Sequence, residues 1–179
     1  CTALEELDLS EATSLREIRQ EAFAQCTSLN SSSTTPTLLF PSNLIKIRKR
    51  AFDKCFALQT LDFCQATSLK EIGNEAFREC YSLQSLVPSF PSSLERIGRG
   101  AFRECTVLEK ITFSEANTAA LKGIRSLAFY HCPSLKFISP FPCNLERIGK
   151  RAFKGCPVLE EINFNEAMAL KIIDEGAFM

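Results

Sequence analysis

The side chains of this chain that could do chemistry are nine cysteines and a single histidine, His131. A thiolate beside an imidazole would make a nucleophilic site, clustered thiolates would hold zinc, and paired thiols would form disulfides. The spacing decides among these. Seven of the nine, Cys1, Cys26, Cys55, Cys80, Cys105, Cys132 and Cys156, recur at intervals of 24 to 29 residues, while Cys64 and Cys143 lie outside the series. No Cys-x-x-Cys pair occurs, and an odd number of cysteines at one recurring slot makes poor disulfide arithmetic. One thiol per recurrence instead fits a small buried hydrophobe, so these cysteines are expected to be reduced and in the core. His131 precedes Cys132, but the same slot holds Gln25, Lys54, Glu79, Glu104 and Gly155 elsewhere. That mixture suits a solvated position rather than a catalytic base, which needs a nucleophile and an orienting group together. No glycine-rich phosphate loop is present. The expectation is no enzyme, no metal and no cofactor.

The elements that must position these cysteines are copies of one frame, Leu-x-x-Ile-x-x-x-Ala-Phe-x-x-Cys-x-x-Leu. It begins at Leu15, Leu44, Leu69, Leu94, Leu121 and Leu145, and an incomplete copy begins at Leu170. Starting each unit at Cys gives seven units, 1–25, 26–54, 55–79, 80–104, 105–131, 132–155 and 156–179. Such a period means a solenoid, because one 25-residue coil cannot cover its own apolar side and neighbours must supply the lid. After each Cys, a Leu-x-x-Leu/Ile-x-Phe/Leu run such as LQTLDF from Leu58 alternates at period two and predicts a first strand. Leu-x-x-Ile predicts a short second strand. Ala-Phe-x-x-Cys, with apolar residues three and four apart, predicts a single helical turn. Gly73, Gly98 and Gly149, each following the Ile, are expected to give a flexible bend into that turn. The predicted core is a ladder of Phe23, Phe52, Phe77, Phe102, Phe129, Phe153 and Phe178 beside the column Cys26, Cys55, Cys80, Cys105, Cys132 and Cys156.

A second order of pattern alternates. Units one, three, five and seven carry an acidic or amide residue and Ala before the frame (SEATSL, CQATSL, SEAN, NEAMAL), whereas two, four and six carry Phe-Pro (FPSNL, FPSSL, FPCNL). The true period is therefore about fifty residues. Length variation collects after Leu29 and before Leu121, which marks loops on one face. Asn30-Ser31-Ser32 in the first of these is a glycosylation triplet that matters only in a secreted protein.

With the core assigned, specificity is left to the surface. Lys and Arg number 21 and Asp and Glu number 21, so no net field argues for nucleic acid. The apolar runs are far too short to insert in a membrane. Outward positions of the first strands are Glu6 and Asp8, Thr60 and Asp62, Ser85 and Val87, Lys110 and Thr112, Phe137 and Ser139, Glu161 and Asn163. These form the candidate binding face for a protein partner, striped by the apolar Val87 and Phe137. Lys46, Arg48, Lys49 and Arg50 make a basic cluster, extended by Arg96, Arg99, Arg147, Lys150 and Arg151. Interspersed Glu residues favour a solvated face there over an anion site.

The stretch LERIGRGAFRECTVLEKITF and its siblings resemble the BspA-like leucine-rich repeats, and the resemblance covers essentially the whole chain. It implies an α/β solenoid, a right-handed leucine-rich-repeat coil with a parallel strand face. It also implies a binding scaffold, often in cell-surface or host-interaction proteins, although reduced cysteines favour the cytoplasm. The family's shared motif is core, so no ligand residues carry over. Two roles follow as expectations: a protein-interaction scaffold, or a structural or sensory segment that spaces or regulates a separate domain. The start in mid-coil at Cys1 and the close in mid-turn at Phe178 predict a fragment of a longer array.

Overall fold

The computed structural model describes residues 1–31, 37–114 and 119–179. The insert after Leu29, with the last residue of the Asn30-Ser31-Ser32 triplet, and the insert before Leu121 lie largely outside the described residues. Among the described residues twelve short strands run in chain order. They are β1 (Glu17–Ile18), β2 (Thr37–Leu39), β3 (Lys46–Ile47), β4 (Thr60–Asp62), β5 (Glu71–Ile72) and β6 (Ser85–Val87). They continue as β7 (Arg96–Ile97), β8 (Lys110–Ile111), β9 (Gly123–Ile124), β10 (Phe137–Ile138), β11 (Arg147–Ile148) and β12 (Ile172–Ile173).

The continuous sheet is the one made by Leu-x-x-Ile. It has seven parallel strands in the order β1-β3-β5-β7-β9-β11-β12 and stays in one register from Ile18 to Ile173. These seven strands bracket six full turns of the coil, fewer than the seven units counted from Cys. The reason for its continuity is the fixed length of the frame, which returns each Ile to the same height. The first strands adjoin the segments of variable length and pair only in two pieces, β2-β4-β6 and β8-β10. The break falls at Pro88, which has no amide hydrogen to donate to a ladder. Across it, Thr112 Oγ1 donates to the Pro88 carbonyl at 3.1 Å, and pairing resumes as a bridge between Phe90 and Phe113.

No helix forms among the described residues, which corrects the expected helical turn at Ala-Phe-x-x-Cys. In the second full frame the amides of Ala51, Asp53 and Cys55 donate to carbonyls three residues back, at 3.2, 3.2 and 3.4 Å. The intervening amides of Arg50, Phe52 and Lys54 instead donate to Asn74, Ala76 and Arg78 of the next coil, at 2.9, 2.8 and 2.8 Å. Every second amide therefore faces a neighbour, and a helix would withdraw it. The geometry requires two left-handed residues per coil, Arg50 at φ 55° and Lys54 at φ 61° here. Gly100 and Gly155 hold the same two slots in later coils with φ of 61° and 81°.

Gly73, Gly98 and Gly149 serve a different purpose from the flexible bend expected of them. None has a positive φ, but a Cβ on Gly98 would lie 2.5 Å from the Gly73 carbonyl carbon and 2.6 Å from the Asn74 amide nitrogen. They are the places where one coil's backbone lies against the last.

The Ala-Phe ladder is present, with Phe77 5.3 Å from Phe102 and Phe102 5.3 Å from Phe129, rings nearly parallel. A second ladder, absent from the sequence expectation, runs beside it through Phe40, Phe63, Phe90, Phe113, Phe141 and Phe164, with centroids 5.1 to 5.9 Å apart. Its members come alternately from the Phe-Pro units and from the strand ends of the other units. Edge contacts such as Phe90 to Phe102 at 5.6 Å tie the two ladders together. Burying each ring contributes roughly 1.5–3 kcal/mol.

The cysteines sit between coils, all nine as free thiols. Cys55, Cys80, Cys105 and Cys132 each donate to the carbonyl of the Phe one coil back, at 3.2 to 3.3 Å. Burial pushes the Cys55 thiol up to about 12 and the Cys80 and Cys132 thiols well above their ordinary value. Cys1 and Cys64 are exposed, and the Asp62 carboxylate beside Cys64 raises its thiol. In native protein at pH 8, a thiol-disulfide reagent should label Cys1 first, Cys64 next and the buried thiols only after urea is added. Equal labelling rates for Cys64 and Cys105 would contradict this core.

Candidate binding face

The face outlined by the first strands is built by their alternation. Leu38, Leu61, Leu86, Ile111 and Ile138 point into the core, which leaves the flanking residues on the outside. Register then sets those residues in rows. Thr37, Thr60 and Ser85 are consecutive partners, as are Leu39, Asp62 and Val87, and Lys110 is paired with Phe137. Thr37 and Leu39 belong to these rows but were missed in the sequence. Their unit carries the long insert, which hides the Leu-x-x-Leu spacing, and only the register places them.

Of the twelve expected residues, Thr60, Asp62, Ser85, Val87, Lys110 and Phe137 lie in strands. Thr112 and Ser139 directly follow β8 and β10. Glu161 joins only through a bridge to Phe137, and Glu6, Asp8 and Asn163 lie outside the strands. Several of the polar members already have work within the fold. Asp8, Asp62 and Asn163 each accept the amide hydrogen of the residue two ahead, Ser10, Cys64 and Asn165, at 2.7 to 2.9 Å. They close this corner in three of the four units that lack Phe-Pro, whereas the fifth unit has Thr112 at the slot, with its hydroxyl on the Pro88 carbonyl. Thr60 and Ser85 hydroxyls meet at 3.2 Å, and Ser139 Oγ accepts from the Phe113 amide at 3.0 Å.

The most exposed apolar group of the face is Phe137. Phe137 is 46% exposed, and its ring carries the Lys110 ammonium 5.2 Å from its centroid. An aromatic ring with a cation over it offers both area and charge to a partner.

The basic cluster is largely neutralised. Arg48 pairs with Glu17 and Arg50 with Glu75, each at 2.6 Å, and Arg147 binds Asp174 through two nitrogens at 2.8 and 2.9 Å. Lys150 meets Glu175 at 2.6 Å, and Arg96 lies 3.9 Å from Glu71. The hydrogen bond and charge of Arg48 hold Glu17 below the usual carboxylate range. His131 is exposed, with its ring 4.5 Å from that of Tyr130. Among the described residues no group of His, Cys, Asp and Glu is arranged to hold a metal ion, and no helix is long and apolar enough to cross a membrane.

The model of the BspA type leucine rich repeat region matches residues 1–121 and 87–179 in six copies. The chain belongs to this family. Solved leucine-rich repeat structures share the fold. A leucine-rich repeat protein from Eubacterium ventriosum aligns at TM-score 0.79 and 19% identity, over 97% of this chain and 42% of that one. A leucine rich cell surface protein from Faecalibacterium prausnitzii aligns at 0.68 and 23%, over 91% and 48%. The T. pallidum leucine rich repeat protein aligns at 0.55 and 25%, over 88% and 79%. The chain thus spans about half or less of the first two. The search of curated proteins gives no match.

Proposed function

We propose that this BspA-type array is a non-enzymatic protein-interaction scaffold that binds a protein partner through the face of β2, β4, β6, β8 and β10. The observation that supports this reading is the Phe137 ring, a large apolar group held in the open on a rigid strand with Lys110 over it. Aromatic groups flanked by polar neighbours are where binding energy concentrates in interfaces. Val87, in the neighbouring row with Leu39 and Asp62, is a second apolar group on the same face. Membership in a leucine-rich repeat family favours the same role, and the cell surface, named for the Faecalibacterium neighbour, is the setting we propose for it.

The test is Phe137→Asp combined with Val87→Asp, followed by affinity capture from a protein extract. Phe137 is exposed, so its replacement should leave the melting temperature within a few degrees. Partners retained by the parent protein should be lost from the variant. Equal recovery of the same partners would remove this face from consideration.

A further inference from the structure

The outer side of the seven-stranded sheet carries a column of alternating charge in which one place, between two arginines, holds no side chain. In register across the strands stand Glu17, Lys46, Glu71, Arg96, Gly123 and Arg147, and the column ends on the apolar Ile172. Acid and base alternate as far as Arg96, and the next position should hold an acid between Arg96 and Arg147. It holds Gly123 instead. Packing does not ask for glycine there: a Cβ would meet nothing nearer than the Arg147 carbonyl oxygen at 3.9 Å, and no positive φ is involved. Two strand spacings separate Arg96 from Arg147, about 9.6 Å between their Cα atoms, which is room for one carboxylate between two guanidinium groups.

The gap opens into a surface depression of about 460 Å³. Four cations and three carboxylates line it. Each carboxylate already has a partner: Glu95 with Lys70, Glu146 with Lys171 and Asp174 with Arg147, at 3.4, 3.7 and 2.8 Å. Lys122 and Arg125 form no ion pair among the described residues and border the same space. A comparable depression at Gly73, about 640 Å³, has Glu17 and Glu71 in the column positions beside it and no such gap.

We infer that the Gly123 notch is a second docking point, which receives a glutamate or aspartate side chain from an acidic segment of a partner protein. The ligand replaces the acid missing from the column. The three resident carboxylates leave the notch only slightly positive, which suits a single negative charge better than a phosphate dianion or a nucleic acid. This site lies on a different sheet from the Phe137 face, so either can fail without the other.

Fluorescence anisotropy at low salt with a labelled peptide of alternating Gly and Glu tests the assignment. Saturable binding is expected, absent for the Gly-Gln counterpart and weakened by added salt. Gly123→Glu fills the gap from within and should weaken binding about ten-fold, whereas Gly123→Ala should retain it. Joint replacement of Lys122 and Arg125 by Ala should weaken binding by a similar factor. Equal binding of the Gln peptide, no saturable binding at all, or unaltered affinity in Gly123→Glu would overturn the proposal. So would inorganic phosphate that displaces the peptide at lower concentration than the peptide itself requires. If Gly123→Glu does not fold, amide chemical shifts of the parent protein decide: changes centred on Gly123 and Ser126 support the site, and changes elsewhere reject it.

Discussion

Replacing Phe102 with alanine is expected to destabilise the protein by about 3–5 kcal/mol. Its ring is fully buried, stacked 5.3 Å from both Phe77 and Phe129 and met edge-on by Phe90 at 5.6 Å. Removing it leaves a cavity that two coils must share, and neither can close on it without drawing its strand out of register. For a chain of this size the loss corresponds to a fall in melting temperature of roughly 6–20 °C. Phe56 gives the internal comparison. It stacks 5.2 Å from Tyr81 but lies half-exposed at the surface, so Phe56→Ala should cost only about 1 kcal/mol. Urea or thermal unfolding of the two variants separates them, and equal losses would mean that the ladder is not what holds the coils together.

The second large effect is expected from a single methyl group. Gly98→Ala sets a Cβ within 2.5 to 2.7 Å of three backbone atoms of Gly73 and Asn74, and backbone cannot step aside as a flexible side chain can. The two coils must spread, at a cost of about 1–3 kcal/mol or more. Gly149→Ala meets the same obstacle, with Ser126 N at 2.4 Å and the Arg125 carbonyl carbon at 2.7 Å. Gly123→Ala, in the same sheet but with open space above it, should shift stability by no more than about 0.5 kcal/mol. Unchanged urea midpoints for Gly98→Ala would show that the coils are not spaced by these glycines.

The core was legible in the sequence because repetition exposes it. A residue type that returns at one slot through units of unequal length is there for its neighbours in the stack: Phe52 to Phe153 and Cys26 to Cys132 of those columns are buried, while the end members Phe23, Phe178 and Cys156 are only partly so. Phe40 and Phe63 show where such reading stops. They occupy different slots of consecutive units, one before Pro41 and one after Asp62, and only folding brings their rings to 5.2 Å. The turn was misread for a related reason. Ala51, Phe52 and Cys55 have helical spacing, but spacing cannot reveal that Phe52 donates its amide to Ala76 of another coil. The glycines after Ile were likewise assigned to flexibility, when their role is contact across a distance of 25 residues in the chain. Of the binding face, the alternation was legible, while the use of Asp8, Asp62 and Asn163 in their own corners was not.

The amides that reach from coil to coil also set how the molecule would carry a load. Phe52 to Ala76, Phe77 to Ala101 and Phe102 to Ala128, each at 2.8 Å, join successive coils, as do the bonds of the seven-stranded sheet. They are links in series, so tension applied along the stack falls on every junction equally and the weakest yields first. One coil would then peel away while the rest keep their shape, paying out roughly 80–90 Å of chain for each 25 residues released. An array held together in this way would lengthen under force in steps of one coil.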